Sequence, residues 1–134
     1  MASVTRLREA IAANLSSISG LRCVALIPED PKPPVAVVTF DRVEFDTSMG
    51  RGLDMYLFRV VAIVGRVNTR GAEQLLDAYL SGDGASSFKA AIESDRALGG
   101  EANDLRVTSG ENLRELVVGD ITYVAADFLI TVYA

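Results

Sequence analysis

Hydrophobic residues recur three and four positions apart in two segments of the chain, which is the spacing of one face of an α-helix. In the first segment, Val4–Ile18, the recurring residues are Val4, Leu7, Ile11, Leu15 and Ile18. In the second segment, AEQLLDAYL, they are Ala72, Leu75, Leu76, Tyr79 and Leu80. A shorter helical segment follows, restarting at Ser86 or Ser87. The pattern therefore predicts two main helices and one short helix.

Six segments rich in β-branched and aromatic residues predict strands. They are Leu21–Ile27, Val35–Phe45, Leu53–Gly65, Leu105–Thr108, Leu113–Val118 and Ile121–Tyr133. A polar loop, Asp46–Gly52, joins the second strand to the third, and Gly119-Asp120 forms a hairpin turn between the last two. Runs of strands and helices predict an α+β fold. We expect a single domain over residues 1–134, with a mainly antiparallel sheet of five to six strands and the two main helices packed on one face.

The longest predicted strands, Leu53–Gly65 and Ile121–Tyr133, are apolar on both faces. One face suits the helices, so a second layer or a neighbouring subunit has to cover the other face. Each strand also holds an embedded charge, Arg59 in one and Asp127 in the other. Because a buried charge is tolerated only when paired, we expect both to be paired, with each other or across a subunit boundary. The alternative is that each faces solvent on an uncovered patch.

The composition favours a domain that buries surface against other copies of itself. Hydrophobic residues make up 49% of the chain, and 11 glycines raise the apolar share further. The net charge is −5, and lysine and arginine form no basic stripe, so nucleic-acid phosphates are not the expected ligand. No apolar run approaches the roughly 18 residues of a membrane helix, and the N-terminus lacks a secretion signal. We expect a soluble, unsecreted protein with no membrane partner.

The residue types needed for several common chemistries are missing from the sequence. The chain has no histidine and one cysteine, Cys23, so histidine-based catalysis, a nucleophile–histidine triad and a zinc site are excluded. Three acids, Asp41, Glu44 and Asp46, cluster near the tip of the predicted long hairpin, where a solvated rim is the simpler interpretation. We expect no enzymatic activity, no cofactor and no metal.

The order of these elements resembles the tail terminator proteins of long-tailed bacteriophages. The resemblance runs from the N-terminal amphipathic helix through the proline-rich turn PEDPKPP and two long strands around a polar loop to the helix AEQLLDAYL. It continues through the short helix after SGDGASS to the ending VVGDITYVAADFLITVYA. This ending has a glycine turn, a tyrosine, a small-residue step and an aromatic–aliphatic strand. The similarity covers nearly the whole chain and rests on pattern rather than on a catalytic motif.

The resemblance implies a virion protein of the phage tail, assembled in the host cytoplasm as a hexameric ring. Such a ring caps the tail tube, stops polymerisation of the tail tube protein and provides the surface that joins the head–tail connector protein. DNA would pass through the lumen without specific binding, past a lining that includes Asp41, Glu44 and Asp46. The strand and loop patterns place Asp46, Met49, Arg51, Tyr56, Arg59, Tyr123, Asp127 and Tyr133 at a subunit or tube interface.

Three other interpretations remain open at the level of sequence. A tail tube or head–tail joining protein would have a similar fold, but a tube protein would polymerise into long cylinders. A small dimeric α+β ligand-binding module would need a polar cluster pointing into its core, which only Arg59 and Asp127 approach. An enzyme that works with carboxylates alone would need a pocket beside its acids.

Overall fold

The computed structural model describes residues 4–18, 21–24, 34–45, 54–66, 71–84, 86–100 and 102–134. Its helices are α1 (Val4–Leu15), α2 (Ala72–Leu80) and α3 (Phe88–Ile92), and short 3-10 turns follow α3 at Glu93–Asp95 and Leu98–Gly100. Its strands are β1 (Arg22–Val24), β2 (Val35–Glu44), β3 (Met55–Arg66), β4 (Asp104–Val118) and β5 (Ile121–Tyr133).

The five strands form one sheet in the order β1-β2-β3-β5-β4. β1 runs parallel to β2, and the pairs β2–β3, β3–β5 and β4–β5 are antiparallel. The chain end is held in this sheet, because the backbone groups of Asp54 and Ala134 exchange hydrogen bonds of 2.9 and 3.0 Å. The predicted α+β fold with a mainly antiparallel sheet is confirmed.

The three helices cover one face of the sheet. On α1, Leu7, Ile11 and Leu15 are fully buried against this face, as the helical spacing predicts. The side-chain amide of Asn14 donates hydrogen bonds to the backbone carbonyls of Ile92 at 3.0 Å and Asp95 at 3.2 Å. Because these carbonyls lie at the C-terminal end of α3 and in the turn after it, Asn14 links α1 to the end of α3.

Aromatic rings fill the centre of the core between α2, α3 and β5. Ser87 caps α3, accepting a hydrogen bond from the Ala90 backbone N–H at 3.1 Å. The next residue, Phe88, is fully buried, with its ring stacked on Phe128 at a centroid distance of 4.5 Å and tilted against Tyr79 at 4.7 Å. The cap therefore fixes the start of a short helix whose first side chain anchors the core.

The edge strand β4 differs from its sequence prediction. The polar residues around Ser109 predict a break, whereas the structure has one strand of 15 residues. Its pairing with β5 shifts register between Val107 and Ser109 and again between Glu111 and Arg114. Each shift is a β-bulge that admits one extra residue, so polar residues enter the strand without ending it. The sheet therefore has five strands within the described residues rather than six.

Glu93 connects the helical layer to this edge strand. Its carboxylate accepts hydrogen bonds from Lys89 Nζ at 2.6 Å and from the Val107 backbone N–H at 2.9 Å, beside the first bulge of β4. Burial acts to raise the pKa of Glu93, but these hydrogen bonds and the charges of Lys89 and Arg96 outweigh it and lower the pKa below its usual value. The folded state therefore favours the ionised carboxylate.

We expect the Glu93→Gln variant to lose stability at pH 7 but not in acid. A carboxyl whose pKa is lower in the folded state stabilises that state above its unfolded pKa and loses the contribution as pH falls through the folded pKa. Urea unfolding at pH 7 should show a loss of about 1–2 kcal/mol. At pH 3 the two proteins should differ much less. A loss of unfolding free energy that is the same at pH 7 and at pH 3 would contradict this role of the Glu93 carboxylate.

Gly110 of β4 faces Leu80 of α2 and Phe128 of β5. A Cβ atom at this position would lie 2.6 Å from Leu80 Cδ2 and 3.2 Å from the Phe128 ring. Gly110→Ala should therefore lower the free energy of unfolding by up to about 1 kcal/mol, because the flexible Leu80 side chain can turn aside at little cost whereas the Phe128 ring has to give slightly. Gly82→Ala is the matched control, since nothing lies within 4 Å of a Cβ there. Equal denaturation midpoints for both variants would rule out the crowding.

Candidate assembly surface

The sheet face that points away from the helices, here the open face, has two halves of different character. Six residues form its closed half: Val35, Val37, Val61, Ile63, Tyr123 and Ala125. None of them is more than 6% exposed, and half-buried Leu116 and Ile121 from the β4–β5 hairpin pack against them. The chain therefore buries this half by itself, with no second subunit.

The accessible half of the open face consists of Met55, Leu57, Leu129 and Tyr133, all of them only half-buried. They belong to β3 and β5 and extend to the end of the sheet where β2 finishes. Phe45 follows β2 there, and 70% of its surface is exposed. Several apolar side chains at this end of the sheet thus retain part of their contact with solvent.

A row of four charged residues separates the two halves. Asp41, Arg59, Asp127 and Arg114 come from β2, β3, β5 and β4, which are neighbours in that order, so their charges alternate across the sheet. Asp127 is the centre of this ion row. Arg59 Nη1 donates to its Oδ2 at 2.8 Å, and Arg114 Nη1 donates to its Oδ1 at 2.7 Å. Arg59 Nη2 also lies 3.5 Å from Asp41 Oδ2.

Two residues of the ion row stand at β-bulges. The β2–β3 register shifts between Phe40 and Arg42, which leaves Asp41 as the extra residue beside Arg59. The second bulge of β4, after Glu111, brings Arg114 opposite Ala125 and next to Asp127. Bulges re-aim side chains in this way. The strand irregularities therefore bring the outer charges of the row to their partners.

The burial of the ion row is uneven. The Asp127 side chain is 2% exposed, whereas the Arg59 and Arg114 side chains are 34% and 31% exposed. The pKa of Arg59 is raised, chiefly by its hydrogen bond to Asp127, and burial opposes the rise. Asp127 is a buried carboxylate with a guanidinium on each oxygen, which is the arrangement that makes such burial tolerable. The predicted pairing of Arg59 with Asp127 is confirmed, and it occurs within one chain.

The structure separates the predicted interface residues into two groups. Arg59 and Tyr133 retain contact with solvent on the open face. Tyr56 lies on the helix side at 6% exposure, Tyr123 belongs to the closed half at 1%, and Asp127 is buried beneath its two arginines. In the single chain, Tyr56 and Tyr123 both pack into its own cores.

The predicted lumen acids alternate with basic residues. Asp41 and Glu44 are exposed on β2, and each lies near an arginine. Asp41 is paired with Arg59, and Glu44 lies 3.7 Å from Arg42. This stretch of β2 is therefore closer to neutral than the acids alone suggest. Asp46, Met49 and Arg51 lie outside the described residues.

Arg114 is the functional candidate that the sequence pattern misses. It lies between Leu113 and Leu116 in a segment that predicts an ordinary edge strand. The available signal was chemical rather than periodic, because a buried carboxylate has two oxygens and needs more than one donor. Arg59 donates to one oxygen of Asp127, and Arg114 from the neighbouring strand donates to the other.

Within the described residues there is no group of three or more acids or cysteines placed to hold a metal ion. The helices of that same part of the chain are too short or too polar to cross a membrane. A scan against protein-family models finds no match, and a search of curated proteins also finds none.

Proposed function

We propose that this chain is a virion structural protein of the tail terminator type, which forms a hexameric ring on the end of a phage tail tube. The ring would stop polymerisation of the tail tube protein and present its other surface to the head–tail connector protein. The observation that carries the proposal is the accessible half of the open face. It is an apolar surface bounded by charges.

The split of the open face supports contact with another copy of the chain. The closed half buries its side chains without help, whereas Leu57, Leu129 and Tyr133 in the accessible half stay half-buried. Covering these side chains with a neighbouring protomer would remove apolar surface from water, at about 25 cal/mol per Å².

A ring also requires two different contact patches on each protomer. In a heterologous interface, one patch of each copy meets a different patch of the next, and the rotation has to close after six copies. The accessible half provides one patch. The β4–β5 hairpin provides a second apolar surface elsewhere on the molecule, where Leu113 and Val117 are 59% and 64% exposed.

The observed order of helices and strands also supports the proposal, because it agrees with the order of elements on which the resemblance to tail terminators rests.

The charge distribution is compatible with DNA passing through the ring. The protein has a net charge of −5, so its field repels phosphates overall. The acids of β2 that would line the lumen are accompanied by Arg42 and Arg59. A lining close to neutral would neither release many counterions nor hold the DNA backbone, which is the condition for sliding.

Negative-stain electron microscopy of the purified protein across a concentration series tests the proposal. A terminator should form closed rings with six-fold symmetry that do not stack into cylinders. Long open tubes would indicate a tail tube protein instead. Compact particles without a central hole, at every concentration and also in the presence of tail tubes, would refute both assignments.

A further inference from the structure

The second bulge of β4 determines which side chains of the β4–β5 hairpin reach each face of the sheet. With the bulge, Arg114 pairs with Ala125 and Leu116 with Tyr123, so both point to the open face. Without it, the register before the bulge would continue to the hairpin turn. Because side chains alternate along a strand, Arg114 and Leu116 would then point to the helix side.

The unbulged register is a realistic competitor because the turn permits it. In the structure, Val118 pairs with Ile121 across the two-residue turn Gly119-Asp120, and Gly119 has a φ of 63°. In the unbulged register Val117 would pair with Ile121 across a three-residue loop. Hairpins with two-residue and three-residue loops are both common, so the turn alone gives only a weak preference between the bulged and unbulged registers.

The ion row distinguishes the two registers. Asp127 is buried in both, because β5 keeps its pairing with β3. Only the bulged register brings Arg114 Nη1 to Asp127 Oδ1, at 2.7 Å. In the unbulged register that hydrogen bond is lost while the one from Arg59 remains, and taking one charged donor away from a buried carboxylate costs free energy. The ion row therefore disfavours the unbulged register relative to the bulged one. It can do so even though a buried ion pair adds little to the net free energy of folding.

We propose that the ion row, through the Arg114–Asp127 pair, selects the bulged register of the β4–β5 hairpin. By doing so it assigns Leu116 to the closed half of the open face. The proposal concerns how this chain reaches a single structure, and it is independent of the proposed function. It also accounts for the presence of a charged residue, Asp127, at a position that is 2% exposed in an otherwise apolar strand.

Disulfide trapping tests the proposal in a Cys23→Ser background. Val117→Cys with Thr122→Cys joins the partners of the bulged register, and Val117→Cys with Ile121→Cys joins those of the unbulged register. Partner residues on neighbouring strands lie within disulfide reach, whereas residues on opposite faces do not. Under mild oxidation, the protein with its ion row intact should close only the first pair.

The informative variant replaces the row by apolar residues of similar size, Arg59→Met, Asp127→Leu and Arg114→Met. We expect it to remain folded and to close the second pair about tenfold more than the intact protein. Arg96→Met is the control, because Arg96 pairs with Glu93 and Asp104 outside the row, and it should behave as the intact protein does. Trapping of the first pair alone in the apolar variant would overturn the proposal. Unfolding of that variant would also overturn it, because the row would then contribute stability rather than select a register.

Discussion

The Phe88→Ala variant should lose about 3–5 kcal/mol of the free energy of unfolding, the loss typical of a fully buried aromatic residue. Phe88 has no exposed surface, and its ring contacts those of Tyr79 and Phe128, which belong to α2 and β5. Truncation to alanine removes both ring contacts and leaves a cavity at the junction of two helices with the sheet. Because α3 has only five residues, it offers few other contacts to offset the loss.

Urea unfolding followed by circular dichroism measures this effect. Phe45→Ala is the matched control, since Phe45 is 70% exposed and its truncation should change stability by no more than about 0.5 kcal/mol. We expect the two midpoints to differ clearly. A Phe88→Ala variant as stable as Phe45→Ala would mean that the aromatic cluster is not the centre of the core.

The Leu57→Glu variant should prevent ring formation while leaving the protomer folded. Leu57 is half-buried in the accessible half of the open face, so a carboxylate there still reaches water in the free protomer. In an assembled interface the same charge would be taken out of water with only its cross-strand neighbour Arg42 to offset the loss, at a cost of about 3 kcal/mol per contact. A loss of 3 kcal/mol weakens each contact by about a hundredfold. Six contacts weakened in this way should leave no rings.

Size-exclusion chromatography with light scattering compares this variant with Ala13→Glu, which adds the same charge at an exposed position of α1. Circular dichroism has to show that both variants retain the parent fold. The expected result is rings for Ala13→Glu and single protomers for Leu57→Glu. Rings that persist in a folded Leu57→Glu protein would exclude the accessible half as an interface.

The parts of the fold that local chemistry determines could be predicted from the sequence. The spacing of Leu7, Ile11 and Leu15 determines the buried face of α1, and Ser87 caps α3. The alternation in β3 and β5 predicts two apolar faces, and the isolated charges of Arg59 and Asp127 predict a pair. Each of these inferences depends on residues close in sequence or on a single strong energetic cost.

The features that escaped prediction depend on register between distant segments. The bulges at Asp41 and after Glu111 are invisible to a periodicity argument, because each reverses the alternation of every residue beyond it. Arg114 reaches Asp127 only through such a shift. The expected interface position of Tyr56 shows the same difficulty, because a strand apolar on both faces does not reveal which face the helices cover. Tertiary packing alone decides that question.

The mass of the assembled protein in solution tests the central claim most directly. Native mass spectrometry should be carried out over a rising concentration series, because a ring that closes through modest contacts needs a sufficient protomer concentration. With a chain of 14.3 kDa, a hexamer has a mass of about 86 kDa, and this species should dominate at the highest concentrations. A protein that remains a monomer or a dimer throughout the series would contradict the claim.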